Sequence, residues 1–222
     1  MNRKIEFYNQ YSQCSYNCYS MILDHFLGTP EVLPTEIEFR KALPRGLRGF
    51  YGWSPYFQFI LKEGNLKWGN SKIKDLKAEP FAVENREPPI INNFRVKIKI
   101  SIKELEDLRN VILEKLKKGP LIFWVPIAAS FELNGKLGNW KNIIKREKDH
   151  YTLFIPWNIT HCIVMNGFND NFLIHDCSIR KGNLQVAPNN LILNVIAMNY
   201  HPSLKKIREI ENNRFHLLIY RE

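Results

Sequence analysis

The sequence predicts an α+β fold, with helices first and a mostly antiparallel sheet after them. Three observations carry this. Apolar residues recur at helical spacing through the segment from Ser15 to Leu27. Residues 94–100 alternate strictly, with Phe94, Val96, Ile98 and Ile100 set against Arg95, Lys97 and Lys99. Leu121 to Ile127 is a continuous apolar run of the kind found in strands buried on both faces.

The 222 residues are 45% hydrophobic and 13% aromatic, enough for a full core and against disorder or a disulfide-stapled miniprotein. One domain over residues 1–222 is the expectation. No apolar run approaches the roughly 20 residues that cross a bilayer, so no membrane partner is expected. The first residues, Met1 to Tyr8, hold no apolar signal core, which predicts a cytoplasmic location. There the four cysteines are expected to stay reduced. The net charge of +10 raises nucleic acid as a partner. However, the lysines are scattered, in groups such as Lys115, Lys117 and Lys118, and no nucleic-acid-binding signature accompanies them. They are read as solvated surface.

The elements follow in order. Cys18, Met21, Ile22, His25 and Phe26 form one helical stripe, stopped by Gly28 with Pro30 beyond. Thr35 and Glu38 form a capping box for a short helix ending before Pro44. Residues 45–53 are glycine-rich and read as a loop. Ser54-Pro55 starts a helix whose buried face is Phe57, Ile60 and Leu61 and which Gly64 ends. After the alternating strand, Ser101 and Glu104 predict another capping box. Leu105, Leu108, Ile112 and Leu116 line the helix that follows, up to Gly119-Pro120. Residues 128–160 are polar and irregular and read as a surface excursion, with His150 exposed. His161–Met165, Phe172–Asp176 and Phe215–Tyr220 read as strands, and 189–200 as a short helix.

The segment His161-Cys162-Ile163-Val164-Met165-Asn166-Gly167-Phe168-Asn169-Asp170-Asn171-Phe172-Leu173-Ile174-His175-Asp176 concentrates the chemistry. With Gly167 to Asp170 as the loop, Met165 faces Phe172, Ile163 faces Ile174 and His161 faces Asp176. Opposed residues share one face of an antiparallel pair. The carboxylate then orients the imidazole and stabilises its charged form. A loop one residue different brings His175 or Cys177 opposite instead.

A thiol supplies the other half. Cys14 sits at the start of the first helix, where the thiolate is favoured, and reads as the nucleophile. Cys18, one turn further and on the apolar stripe, reads as core. A zinc site from Cys14, Cys18, His161, Cys162, His175 and Cys177 is the competing use of these side chains. Adjacent strand residues point to opposite faces and no Cys-x-x-Cys pair exists, so no metal is expected. His161 as a satisfied core histidine and Asp176 as a turn carboxylate is the plainer structural reading.

Cys14-Ser15-Tyr16-Asn17-Cys18-Tyr19-Ser20-Met21-Ile22-Leu23 resembles the nucleophile helix of the bacteriocin-processing, double-glycine leader peptidases. His161, the apolar residues after it, Gly167 and Asp176 are similar to their His…Gly…Asp-Pro segment. The same skeleton occurs in the N-terminal domain of the butirosin-biosynthesis BtrH acyltransferase group. The resemblance implies a papain-like fold, its nucleophile helix packed on an antiparallel sheet bearing His and Asp. It also implies a Cys14–His161–Asp176 triad and no cofactor. The sequence departs from the peptidase pattern at Ser15, where Gly is usual, and at Cys177, where Pro is usual. Tyr8 stands where these peptidases carry an oxyanion-binding Gln, and Gln10 is the nearby substitute, with Asn9 and Gln13 alongside.

Together these readings predict a cysteine-nucleophile hydrolase of peptide or amide bonds working through an acyl-enzyme. The alternatives are an acyltransferase that moves an acyl group from a carrier thioester to an amine, and an inactive binding scaffold. The expected partner is a peptide or an acyl-carrier substrate.

Overall fold

A computed structural model describes residues 14–50, 56–71, 73–92, 95–126, 144–148, 150–154, 160–176, 183–200, 214 and 216–221. It mixes helices with antiparallel sheet. Helix α1, Cys14–Leu27, is expected to bury one stripe, yet every residue from Ser15 to Asp24 is buried. The reason is that α1 is covered on more than one side. Cys18 and Ile22 join Trp124, Cys162 and Val164 in one core, while Tyr16 and Tyr19 meet an aromatic cluster with Phe39 and Phe57. His25 and Phe26, at the exposed end, are only half-buried. Gly28 takes a φ of 81°, which a side chain would disfavour, and its N–H reaches the Asp24 carbonyl at 2.8 Å. Arg221 Nη2 donates to the Phe26 carbonyl, tying the far end of the chain to this helix terminus.

Helix α2, Glu36–Ala42, carries the complete Thr35–Glu38 capping box. The segment Arg45–Phe50 is a 3-10 turn rather than open loop. Helix α3, Phe57–Glu63, ends at Gly64 in the left-handed region, while Ser54 and Pro55 lie outside the described residues. The long helix α4, Ile102–Lys118, is capped by Ser101, whose hydroxyl accepts from the Glu104 N–H. The reciprocal half of that box is absent, because the Glu104 carboxylate accepts from the Arg86 backbone N–H instead. Helix α5 is Pro188–Asn199.

The strands are β1 Leu76–Phe81, β2 Ile90–Asn92, β3 Arg95–Ile98, β4 Leu121–Pro126 and β5 Ile144–Arg146. They continue with β6 Tyr151–Phe154, β7 Thr160–Asn169, β8 Asn171–His175, β9 Asn183–Val186 and β10 His216–Arg221. Six form one sheet in the order β1-β10-β4-β7-β8-β9, and four form another in the order β2-β3-β6-β5. Every pairing among the described residues is antiparallel. The expected surface excursion therefore holds two strands, β5 and β6. Of β6 Leu153 is fully buried and Tyr151 and Thr152 half-buried, too little apolar alternation to register as a strand. His150, expected at the surface, is buried, with Nε2 at 3.2 Å from Glu147 Oε2.

Strands β4 and β7 run through the middle of the large sheet and bury both faces, as the apolar run predicts. Ile122, Trp124, Cys162 and Val164 join the core on the α1 side. Leu121, Phe123, Val125, Ile163 and Met165 join a second core with residues of α4 and α5. Gly119 between α4 and β4 has an extended φ, so its role is space rather than conformation. A Cβ there would lie 1.8 Å from the Ile219 carbonyl oxygen. Gly119→Ala is therefore expected to push β10 away from β4 and lower the thermal midpoint by several degrees, read by differential scanning calorimetry.

Two further histidines of the large sheet, His175 and His216, are buried. Burial lowers the His175 ring from 6.5 to about 4 and the His216 ring to about 3. Both rings are neutral in the fold and charge in the unfolded chain as pH falls below 6.5. The unfolded chain thus takes up protons the folded one refuses, and stability falls from about pH 6.5 towards 4. Unfolding free energies from urea titrations should drop with acid by up to about 1.4 kcal/mol per pH unit per ring, and His216→Leu should shed its share of that slope.

Candidate active site

Cys14 is the first residue of α1, where unpaired backbone N–H groups and the helix dipole favour an anion. His161 is the second residue of β7, the central strand that α1 packs against, and Asp176 follows directly after β8. The three come together at this end of the sheet. His161 Nε2 lies 2.6 Å from Asp176 Oδ1, short enough for a charge-assisted hydrogen bond. Asp176 is fully buried and the His161 side chain is 7% exposed, so water does little to screen the pair. With Nε2 committed to Asp176, Nδ1 is the nitrogen left for the thiol, and the Cys14 side chain hydrogen-bonds His161.

The Cys14 thiol is held below its ordinary value. Burial pushes it up, but the His161 hydrogen bond and charge pull it down further. A backbone hydrogen bond from Cys162 and the Ser15 hydroxyl add to the pull. Ser15, which stands where the peptidase pattern has Gly, thus acts on the sulfur through its own side chain. The sequence offers no sign of that contact beyond adjacency.

The expected hairpin register is corrected. Met165 pairs with Ile174 rather than Phe172, and Phe168 pairs with Phe172. The turn is tighter than four residues, because Asn169 and Asn171 already pair across Asp170, whose φ is 58°. Uninterrupted, that tight turn would set Asp176 opposite Val164, on the face turned away from His161. A bulge between Met165 and Gly167 prevents this by giving β7 one extra residue, Asn166. Val164 then pairs with His175, and the next step along the ladder sets Asp176 against Ile163. Ile163 shares a face with His161, so the carboxylate meets the imidazole from a diagonal position.

The remaining candidates divide as follows. Cys18 is fully buried in the α1 core, as a packing residue would be. His175 faces the α1 side through its pairing with Val164 and bonds Asn166 rather than Asp176. Gln10, Asn9, Gln13 and Cys177 lie outside the described residues. Among the described residues no group of three His, Cys, Asp or Glu side chains is placed to hold a metal. No helix among them is long and apolar enough to cross a membrane. The Asn166–His175 pair was not anticipated from sequence, although a buried-strand Asn followed by Gly is a bulge signal.

This thiol should react first. Iodoacetamide near neutral pH is expected to alkylate Cys14 well ahead of the fully buried Cys18 and Cys162, read by peptide mass spectrometry. Faster labelling of Cys18 would move the nucleophile one turn along α1. Set against known proteins, the chain matches no family model, no curated protein and no solved structure.

Proposed function

We propose that this protein is a papain-like cysteine enzyme that hydrolyses a peptide or amide bond through an acyl-enzyme on Cys14. The observation that carries the reading is the hydrogen-bonded run from Cys14 through His161 to Asp176, with the thiol held below its ordinary pKa. His161 takes the thiol proton, and Asp176 stabilises the resulting imidazolium. The thiolate attacks the substrate carbonyl carbon, forming a C–S bond, and the carbonyl electron pair moves onto oxygen. Backbone N–H groups at the start of α1 receive that oxyanion, the task for which Gln10 is the side-chain candidate. The tetrahedral adduct collapses, the C–N bond breaks, and the leaving amine takes the proton from His161. A water deprotonated by His161 then attacks the thioester and releases the acid and the thiol.

Three variants separate this enzyme from a scaffold of the same fold. Cys14→Ala is expected to abolish turnover at a stability cost of about 1 kcal/mol, because a helix-end thiol leaves a small cavity. Cys18→Ala should do the reverse, lowering the melting temperature and sparing most activity. Asp176→Asn should weaken turnover roughly a hundredfold without erasing it, since the base remains. A peptide ester and an acyl thioester serve as probes, with and without an added amine. A mass increase on the protein that disappears in Cys14→Ala supports the acyl-enzyme. Turnover that needs the amine would replace water by an amine acceptor. An unmodified protein with every probe and unchanged function in Cys14→Ala overturn the reading.

A further inference from the structure

Strand β7 is held in phase by two cores at once. Cys162 and Val164 belong to the α1 core, and Ile163 and Met165 to the opposite one. Phe168, three residues after Met165, packs against that same opposite core. A regular strand sends residues three apart to opposite faces, so one extra residue is required between them. The cores set the bulge between Met165 and Phe168, but a bulge slid towards Cys162 would only exchange Val164 and Met165 between them, a swap of two apolar side chains that burial opposes weakly. If it slid towards Cys162, Asn166 would pair with Ile174 and Val164 with Asp176, and the carboxylate would swing to the wrong face.

Something must therefore pin the bulge above Val164. Asn166, the bulged residue, is buried, and its Nδ2 lies 2.9 Å from His175 Nε2 on the facing strand. His175 is buried too and immediately precedes Asp176. The bond joins the extra residue of β7 to the residue whose successor supplies the carboxylate. A buried Asn–His pair contributes less by burial than two apolar side chains would, and its value lies in allowing only one arrangement.

We propose that Asn166 and His175 are positioning residues: their side-chain hydrogen bond fixes the β7 bulge and so holds Asp176 on the His161 side of the sheet. This rests on the reading of Cys14, His161 and Asp176 as a working triad. The groups that act on the reacting thiol directly are His161, Cys162 and Ser15. The effect of Asn166 and His175 passes through Asp176 to His161, and from His161 to the charge state of Cys14.

The test reads that charge state in the full-length protein, with no substrate needed. The rate of Cys14 alkylation by iodoacetamide is followed against pH in wild type, Asp176→Asn, Asn166→Leu, His175→Leu and His175→Gln, each checked for folding by circular dichroism. Asn166→Leu and His175→Leu should shift the profile upward towards that of Asp176→Asn, with labelling roughly tenfold slower at pH 6. His175→Gln, whose side-chain oxygen can take over the acceptor role of Nε2, should keep the wild-type profile. The double variant Asn166→Leu/Asp176→Asn should match Asp176→Asn alone, because both changes act through one carboxylate. A wild-type profile in folded Asn166→Leu or His175→Leu overturns the proposal, as does a double variant that is slower still. If Asn166→Leu does not fold, the contrast between His175→Gln and His175→Leu decides it. An ordinary thiol profile in the wild-type protein overturns the triad reading itself, and the proposal with it.

Discussion

Which carboxylate His161 meets is decided by a residue count in one hairpin. The tight turn at Asp170 alone would hand Asp176 to the α1 face, and the single extra residue at Asn166 returns it. The bulge is required by packing before it is required by chemistry. Met165 and Phe168 both serve the core on the α4 and α5 side, and they can do so only across an odd insertion. The site therefore inherits its geometry from two cores that share one central strand. An error of one residue in β7 would leave the cores nearly as apolar but the imidazole without its partner.

The thiol depends on a second balance, between burial and charge. Packing Cys14 at the start of α1 disfavours a thiolate, and on its own this would make the sulfur inert. His161 reverses the sign because it is close, hydrogen-bonded and itself held by a buried carboxylate. Removing one member of such a chain leaves the others buried and poorly paired, which is costlier than never having had them. The same logic runs along α1. Asn17, Ser20 and Asp24 are buried on a helix packed on several sides, and Thr29 Oγ1 donates to the Asp24 carboxylate just beyond the helix end.

Much of the frame was legible because its signals are local. The Thr35–Glu38 box, the left-handed Gly64, the apolar face of α4 and the central run Leu121–Val125 each follow from neighbouring residues alone. Cys14, His161 and Asp176 were legible as residue types at suggestive places. Their register was not, because it depends on whether Asp170 makes a tight turn and where the compensating bulge falls. The slip from Ile163 and Met165 to Phe168 records that bulge in the apolar pattern, and Asn166-Gly167 marks its position. Strands β1, β2, β5, β6 and β9 escaped for a different reason. They are short or at a sheet edge, with Pro80 inside β1 and all three residues of β2 exposed, so little burial is written into them. The second half of the Ser101 box failed because Glu104 found a long-range partner in Arg86, which no local motif encodes.

Three histidines of the large sheet show how the partner, rather than the depth, sets what an imidazole can do. His161, His175 and His216 are all nearly inaccessible. His216 accepts the Trp124 backbone N–H at Nδ1 and packs against the Phe81 and Phe123 rings. Nothing there stabilises a positive ring, and burial drives it to about 3. His175 accepts from the Asn166 amide, a neutral donor that wants a neutral acceptor, and it too is held uncharged. His161 faces a carboxylate, at 2.6 Å. That one contact makes a charged ring compatible with burial, and a charged ring is what a thiolate beside it requires. The neutral pair at Asn166 and His175 and the ionisable pair at His161 and Asp176 thus lie side by side in one hairpin with opposite electrostatic assignments. The polar pair bridges the bulge, and the carboxylate just beyond it meets the imidazole.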